Sequence, residues 1–137
     1  PPFVVADSVR LIVAQRLVRL LCPDCSTPGD PPDEMLRFAR RFAEDGGLDW
    51  ERLEKSWCRP VGCAACGHTG FRGRTVIAET LEVDGAVAQA VRSDAPLSEL
   101  RRLAVAGGMS TMGADGVRRA AAGRTTIAEL VGVLPVR

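Results

Sequence analysis

The chain has 137 residues, of which 46% are hydrophobic and 26% charged. This balance is typical of a globular protein and excludes a disordered or fibrous chain. Its 18 basic and 17 acidic residues leave a formal net charge of +1, whereas domains that bind nucleic acids or anionic membranes are usually strongly basic. We therefore expect any partner to be a protein, and we predict no nucleic-acid binding.

The sequence contains one lysine, Lys55, and one histidine, His68. A phosphate-binding loop needs a lysine within a Gly-Lys-Ser/Thr sequence, but Lys55 follows Glu54. A metalloprotease site built on two histidines is excluded, and a Ser-His-Asp triad would have to use His68. We therefore predict no catalytic residue and no nucleotide-binding residue in this chain.

The first region with a regular pattern runs from Phe3 to Leu21. Its apolar residues recur at helical spacing, which predicts one amphipathic helix that ends at the proline after Cys22. Charged residues interrupt this region, so it is not apolar enough to span a membrane. Because the sequence begins with two prolines and no leader-like pattern, we expect it to be either processed or excised from a longer protein, and we favour the second.

The middle of the chain contains a predicted helix, a loop and a strand. Acidic residues and prolines at 30–34 predict the start of a helix, and the glycines at 46–47 predict its end. A further turn or two of helix is predicted within 48–55, followed by a glycine-rich loop over 60–73. β-branched residues predict a strand over 75–83. It is the only strand that the pattern predicts.

Four short helices are predicted after residue 84, separated by glycines and loops. The last of them begins at Thr126. Thr126 and Glu129 have the spacing of a capping box, in which the hydroxyl caps the helix and the glutamate reaches back to the cap residue.

Four of the five cysteines form two Cys-x-x-Cys pairs, which are separated by 37 residues. Thiolates at this spacing can bind one ion, and two pairs complete a tetrahedral shell of four sulfurs. Such a closed shell of soft ligands suits structural zinc, or iron in a rubredoxin-like site. We predict one structural Zn²⁺ bound by Cys22, Cys25, Cys63 and Cys66.

With this metal, the predicted fold class is mainly α with a short β element, a small zinc-stabilised helical domain. Residues 1–83 would form a zinc subdomain with a long helix, two Cys-x-x-Cys knuckles and a strand. Residues 84–137 would form a carboxyl-terminal subdomain of short helices.

Other interpretations of the cysteines remain open. Disulfides are the main structural alternative, although nothing in the sequence indicates secretion and a reducing compartment favours metal. A thioredoxin-like redox site would need a Cys-x-x-Cys at the start of a helix in a βαβ frame, whereas Cys63 and Cys66 lie in a glycine loop. Cys58 is interpreted as a small buried residue beside Trp57. His68 could replace one thiolate, but a loop histidine that faces water or the backbone is the simpler interpretation.

Four segments resemble one protein family. Residues 13–25 read VAQRLVRLLCPDC, residues 62–75 read GCAACGHTGFRGRT, residues 108–112 read GMSTM, and residues 123–130 read GRTTIAEL. Together they closely resemble the carboxyl-terminal part of the GspE/PilB-type ATPases, which drive bacterial type II secretion and type IV pilus assembly. The resemblance covers nearly the whole chain.

The resemblance implies that the four paired cysteines are the family's zinc-binding tetracysteine motif and that the following helices are its last subdomain. It also implies that the nucleotide site lies upstream, in a hexameric motor that acts on an inner-membrane platform protein. This piece would then be a noncatalytic coupling domain, in the cytoplasm at the inner face of the inner membrane through its partners. The sequence departs from the family pattern at 75–81, where a glycine after the threonine and an aromatic before the glutamate are usual.

Three rival functions and two surface features follow from the same residues. The rivals are a stand-alone zinc-ribbon-like module that binds protein or nucleic acid, a chaperone module like the DnaJ zinc domain, and a redox enzyme. Arg72 and Arg74, next to the second cysteine pair, are candidates for contact with a partner protein or a neighbouring subunit's nucleotide. Apolar residues between Leu97 and Leu134 are expected either to pack on the parent ATPase or platform protein, or to complete the core of the chain.

Overall fold

The structure is a computed structural model that describes residues 1–135. In this range it contains six α-helices, four β-strands and one turn of 3-10 helix at Ala64–Cys66. The helices are α1 Pro2–Ser8, α2 Asp33–Asp45, α3 Gly85–Arg92, α4 Leu97–Ala106, α5 Met112–Ala121 and α6 Ile127–Val133. The strands are β1 Leu11–Leu21, β2 Thr27–Pro28, β3 Cys58–Arg59 and β4 Phe71–Glu82.

The main sheet consists of β1 and β4, which pair in antiparallel fashion over almost their full length. Leu11 lies opposite Glu82, and Arg19 lies opposite Arg74. The ladder is irregular between Arg19 and Leu21. The prediction of one helix from Phe3 to Leu21 is therefore wrong, because only its first residues are helical and the rest is strand.

β1 carries apolar residues on both of its faces. Along one face Val18 is buried, and along the other Leu11, Val13 and Leu17 are each 54% exposed. Apolar residues on both faces of a strand also satisfy helical spacing, so the pattern alone cannot separate the two structures. The partner strand decides between them, since β4 satisfies inward-facing backbone groups of β1 from 50 or more residues away.

The core lies on one face of this sheet. Val18 and Ile77 from the strands are buried with Val117 of α5 and with Ile127 and Leu130 of α6. α2 packs against α5 and α6 and adds two fully buried alanines, while Trp57 closes one side. This core contains residues from both sides of residue 83, and the proposed boundary there stays a prediction.

A smaller apolar cluster lies at the end of the sheet where β1 begins and β4 ends. Ala6 of α1, Val83 and Ala88 of α3 are buried together. α4 is joined to this end mainly through α3. At the start of α4, Leu97 is exposed, whereas Ala104 in its last turns is buried.

Most of the other predicted elements are confirmed. The helix after the prolines is α2, and it ends at Gly46. The predicted strand is β4, although it begins earlier, at Phe71. The four short helices after residue 84 are α3 to α6. No helix is present within 48–55, where the expected turn or two of helix is limited to one hydrogen bond of helical type, from the amide of Leu53 to the carbonyl of Asp49 at 3.1 Å.

The prediction of a mainly α fold is confirmed in part. Helices are the commonest element in the described residues, but the β element is not short, since β1 and β4 contain 11 and 12 residues. No helix within residues 1–135 is both long enough and apolar enough to cross a membrane.

Three side chains link the helices to the sheet through backbone amides. Asp115 of α5 accepts a hydrogen bond from the amide of Ala78 at 2.9 Å. In return, Glu79 of β4 accepts one from the amide of Met112, at the start of α5, also at 2.9 Å. Carboxylates in these positions stabilise the positive end of a helix and satisfy strand amides that no other strand pairs with.

The third link is Glu129, for which the capping-box pattern predicted the contact of its amide but not the partner of its carboxylate. The hydroxyl of Thr126 accepts a hydrogen bond from the Glu129 amide, as expected for the cap. The Glu129 carboxylate does not return to the cap residue. Instead it accepts hydrogen bonds from the backbone amide of Arg19 at 3.1 Å and from its guanidinium at 2.6 and 3.0 Å. The expected second half of the box is therefore wrong, and this carboxylate joins α6 to β1.

Candidate metal centre

The two cysteine pairs meet at one end of the main sheet. The first pair follows the last residue of β1, and the second pair precedes the first residue of β4. Since the strands are antiparallel neighbours, their connected ends bring both loops together. The amide of Cys22 donates a hydrogen bond to the carbonyl of Gly70 at 2.9 Å, which continues the pairing into the loops.

The four sulfur atoms form a compact group in which every pair lies within 4.8 Å. The Sγ atoms of Cys22 and Cys63, and those of Cys25 and Cys66, are 3.9 Å apart. The Sγ atoms of Cys63 and Cys66 are 3.8 Å apart. Sulfurs bound tetrahedrally to zinc at about 2.3 Å are separated by about 3.8 Å. The measured distances therefore match the edges of a zinc tetrahedron.

Backbone amides donate to these sulfurs in the manner of a metal knuckle. The amides of Cys63 and Gly70 donate to Cys66 Sγ at 3.3 and 3.2 Å, and the amide of Gly62 donates to Cys25 Sγ at 3.3 Å. Hydrogen bonds to a thiolate sulfur favour its charged form and fix its direction. The loops are therefore arranged to present sulfur to one point.

Two glycines make these turns possible. Gly70 has a φ of +82°, and a Cβ there would lie 2.5 Å from the Cβ of Pro60. Gly62 has a φ of +110°, and a Cβ there would lie 2.9 Å from the carbonyl oxygen of His68. A side chain at either position would strain the backbone and collide with the loop. Gly62 and Gly70 thus serve as turn residues in the glycine-rich loop.

The surroundings of the sulfur group lower the pKa of Cys66 and raise the pKa of Cys25. Burial alone would raise the pKa of Cys66, but amides of Cys63 and Gly70 and nearby thiols lower it to about 6. The Gly62 amide favours the thiolate of Cys25, yet burial and the three other thiols outweigh it and raise the pKa of Cys25 to about 11. One thiolate is favoured here, whereas several thiolates so close together need a cation between them.

The donor set fits a single soft metal ion with no open position. All five cysteines in the chain are free, so the pairs are not linked as disulfides. Four thiolates complete a tetrahedral shell, and such a shell leaves no place for a water or substrate molecule. Chemically, the arrangement can hold an ion that joins two loops, but it offers no Lewis-acid site.

The structure brings together the four predicted ligands and leaves the other two candidates outside. Cys58 lies in β3, half-buried beside Gly123, where a Cβ would lie 3.0 Å from its sulfur. His68 is exposed on the loop, and its amide donates to the carbonyl of Cys63 at 2.8 Å. Neither belongs to the group of sulfurs.

Arg19, near the end of β1 that precedes the first cysteine pair, contacts both β4 and α6. The guanidinium of Arg19 lies over the ring of Phe71, with 4.1 Å from its central carbon to the ring centroid, and it also pairs with Glu129. Nearby, the amide of Leu21 donates to the carbonyl of Arg124 at 2.8 Å, and the Thr125 hydroxyl donates to the carbonyl of Arg19 at 2.7 Å. The segment before α6 therefore fixes the end of β1 from which the first cysteine pair extends.

Sequence reasoning missed Glu129 and Asp115 as residues that support the site and the sheet. The spacing of Glu129 from Thr126 gave a signal, but its partner is 110 positions away in the sequence. The two arginines predicted as contact candidates are exposed. Arg72 pairs with Asp24 of the first loop at 3.1 Å, whereas Arg74 makes no ion pair with any residue from 1 to 135.

The region from Leu97 to Leu134 divides into exposed and packed parts. Leu97 is 69% exposed, whereas Leu130 is fully buried. Val131, Val133 and Leu134 are partly buried against the main core. The carboxyl-terminal end of this region thus completes the core, as one of the two expectations had it.

Comparison with known proteins agrees with the resemblance. A family model described as "Type II/IV secretion system protein" matches residues 1–132. The chain belongs to this family. Among its relatives, the type II secretion system protein E of Aeromonas hydrophila is 37% identical over 132 residues, and the type IV pilus assembly ATPase PilB of Myxococcus xanthus is 36% identical over 131 residues. The type II secretion system protein HxcR of Pseudomonas aeruginosa is 38% identical over 132 residues.

Each of these alignments covers 96% of this chain, but only 25%, 22% and 23% of the respective relative. The chain therefore spans about a quarter of the length of the curated relatives that it matches. It corresponds to a part of these secretion and pilus assembly proteins.

Proposed function

We propose that this chain is the zinc-binding carboxyl-terminal part of a bacterial type II secretion or type IV pilus assembly ATPase, noncatalytic by itself. The observation that carries the proposal is the group of four sulfurs, spaced like the edges of a zinc tetrahedron, in a chain of this family. Cys22, Cys25, Cys63 and Cys66 would bind the ion. Zinc supplies no redox chemistry, and in a closed shell its contribution is structural.

The role of the metal would be to fold the two loops. Between them, the segments 22–28 and 58–70 bury two side chains, and both of these are cysteines. Loops without an apolar core must obtain their stability elsewhere, and structural zinc contributes on the order of 10 kcal/mol in apparent terms. The ion would thereby fix the connection between β1 and β4.

The noncatalytic role is supported by the surroundings of the single lysine. The Nζ atom of Lys55 donates to the backbone carbonyls of Trp50 and Leu53 and lies over the ring of Trp50. It is part of a surface turn that precedes the glycine-rich loop over 60–73. Nucleotide hydrolysis would belong to the rest of the parent protein, since the chain spans only about a quarter of the length of its relatives.

We also propose a coupling role, in which the chain acts together with partner proteins. In this proposal the parent protein is a hexameric motor in the cytoplasm, held at the inner membrane by its platform protein, and the chain transmits motion between them. Residues 1–83 would form the zinc subdomain and residues 84–137 the terminal helical subdomain. Support comes from the names of the relatives, which include secretion proteins and pilus assembly ATPases.

Metal analysis of the purified chain tests the zinc site. We expect one equivalent of zinc per chain, and Cys63→Ser should lose it. Cys58→Ser is the matched control, because Cys58 lies outside the sulfur group, and it should keep both its metal and its melting temperature. Iron in place of zinc, or metal loss in the control, would contradict the ligand assignment.

The noncatalytic and coupling roles need separate tests. Phosphate release from ATP by this chain, abolished by a substitution within it, would contradict the noncatalytic role. A pull-down with the cytoplasmic domain of the platform protein tests coupling, with Arg72→Glu compared with the distant control Arg52→Glu. We expect only Arg72→Glu to weaken capture. Equal capture of both variants and of the wild type would remove Arg72 from the interface, and absence of any capture by the wild type would count against coupling through this chain.

A further inference from the structure

A second site lies away from the cysteines, in a cleft between α2 and α4. The start of α5, residues of the main sheet and the segment after α6 complete its walls. The cleft has a volume of about 780 Å³, within the range of roughly 300–1,000 Å³ that is usual for binding pockets. None of its lining residues belongs to the cysteine loops, so it is separate from the proposed metal centre.

Part of the cleft wall is apolar and firmly placed. Phe42 of α2 packs against Gly113, where a Cβ would lie 3.1 Å from the Phe42 Cβ. Met112 is buried beside it, and a Cβ at Gly47, just after α2, would lie 3.1 Å from a methyl group of Val105 of α4. A wall built from packed helices does not need to form on binding, which reduces the entropic cost of docking.

The charged residues around this wall are mostly basic. Four arginines and two acids line the cleft, and they are Arg16, Arg41, Arg101, Arg102, Asp45 and Glu79. Glu79 already has a partner, because it accepts a hydrogen bond from the Met112 amide at the start of α5. The lining of the cleft therefore contains more guanidinium groups than carboxylates.

The partners of these arginines identify the two that can bind a ligand. Arg102 forms two hydrogen bonds with Glu99, at 2.6 and 2.9 Å. Arg16 donates only to the carbonyl of its neighbour Gln15, at 3.1 Å. Within the part of the chain that the structure describes, Arg101 pairs with no acid. Arg16 and Arg101 thus bring two guanidiniums without a carboxylate to the cleft, one from β1 and one from α4.

We propose that this cleft docks an acidic, partly apolar segment of a partner protein. Its carboxylates pair with Arg16 and Arg101, since guanidinium binds carboxylate in a planar, bidentate manner. Its apolar side chains contact the wall around Phe42. The concave shape with an apolar wall fits a peptide, whereas a net charge of +1 gives the chain no general attraction to an anionic membrane. This inference goes beyond the proposed function and does not depend on zinc.

Fluorescence anisotropy with a labelled peptide of glutamate and leucine, at low ionic strength, tests the proposal. The same peptide with glutamine in place of glutamate is the ligand control. The cleft variant is Arg16→Gln with Arg101→Gln. The matched protein control is Arg10→Gln with Arg37→Gln, which removes the same charge from exposed positions outside the cleft.

We expect the glutamate peptide to bind more tightly than the glutamine peptide and the cleft variant to lose about tenfold in affinity, as two exposed charge pairs would give. The control variant should lose less than about twofold, and added salt should weaken binding of the wild type. Equal losses in the two variants, or equal binding of the two peptides, would overturn the proposal. Binding of anionic lipid vesicles in place of the peptide would also overturn it. Circular dichroism and metal content of the cleft variant, unchanged from the wild type, exclude misfolding as the cause.

Discussion

The cysteine loops and helix α5 differ sharply in what surrounds their side chains. In the two loops, residues 22–28 and 58–70, the only buried residues besides a glycine are Cys22 and Cys66. α5 alone contains six buried residues, and it packs on both α2 and β4. The loops are ordered by sulfur geometry and backbone hydrogen bonds, whereas the helical layer is ordered by the burial of aliphatic surface.

This difference indicates that the two regions would respond to different perturbations. Removal of the metal should affect the loops, and loss of core volume should affect the helices and the sheet. The carboxylate of Glu129 joins the regions, because it binds the strand from which the first loop extends. Each of the following predictions tests one side of this separation or the link between the sides.

The largest effect is expected from removal of the metal. Chelation of the zinc-loaded chain should remove a contribution on the order of 10 kcal/mol from the loops. Hydrogen exchange of the amides that donate to sulfur, at Gly62, Cys63 and Gly70, should become fast, while amides within α5 and α6 stay protected. Chelator should cause no further change in Cys63→Ser. Simultaneous loss of protection in α5 would show that the regions are not separable.

The next largest effect is expected in the core. Leu130 is fully buried, and it touches Gly116 so closely that a Cβ there would lie 2.6 Å from one of its methyl groups. Leu130→Ala should lower the free energy of unfolding by about 2–5 kcal/mol, as measured by urea denaturation, without loss of zinc. Leu97→Ala is the control at an exposed position and should cost less than about 0.5 kcal/mol. Zinc loss in Leu130→Ala under native conditions would contradict the separation.

An intermediate effect is expected at the link itself. Glu129 is 16% exposed and accepts three hydrogen bonds from Arg19. Glu129→Gln should cost about 1–2 kcal/mol in urea denaturation, since charge-assisted hydrogen bonds are lost. The control is Glu44→Gln, an exposed i,i+4 pair with Arg40, which should cost less than about 0.5 kcal/mol. Equal costs for both would remove Glu129 as a specific link.

The same carboxylate predicts a pH dependence. Burial alone would raise the pKa of Glu129, but the hydrogen bonds from the side chain and backbone of Arg19 outweigh it and lower the pKa below its ordinary value. A lowered pKa in the folded state gives stability that is fully present above the unfolded pKa, near pH 4–5, and is lost as the pH falls through the folded pKa. Urea denaturation between pH 7 and pH 3 should show this loss, and Glu129→Gln should show a smaller one. A steeper loss in the variant would contradict the assignment.

The smallest effect is expected from the ion pair between the loop and β4. Arg72 and Asp24 are both about half exposed and lie 3.1 Å apart. Exposed pairs of this kind contribute little, so Arg72→Gln should change the free energy of unfolding by less than about 0.5 kcal/mol. Its zinc content should match that of the wild type. A larger loss would mean that this pair, and not only the metal, holds the loops together.

The cysteine group and most of the helices could be predicted from the sequence because their signals are local. Cys-x-x-Cys spacing, glycine punctuation and the threonine cap each depend on a few neighbouring residues. β1 could not be separated from a helix in this way. However, β4 was predicted without any partner, and a single strand with unpaired amides is not a stable structure. That requirement, applied to the aliphatic segment 11–21, was the available signal for the second strand.

The remaining features depend on contacts between distant residues. The bond between Glu129 and Arg19 and the exchange of carboxylates between β4 and α5 join residues that are 33 to 110 positions apart. No local pattern records such distances. The cleft arginines are similar, because Arg16 of β1 and Arg101 of α4 are far apart in the sequence and yet line the same cleft.

The carboxylates of Glu129 and Asp115 have a further consequence for the behaviour of this chain in concentrated solution. A sheet of two strands exposes two edges, and exposed edges invite strand addition from other copies and aggregation. On one edge, Asp115 accepts a hydrogen bond from the outward amide of Ala78. On the other edge, Glu129 accepts one from the outward amide of Arg19, and the Arg16 guanidinium donates one to the Gln15 carbonyl. An incoming strand would have to displace these charged groups before it could pair along either edge. The protein thus limits intermolecular sheet growth with side chains rather than with additional strands.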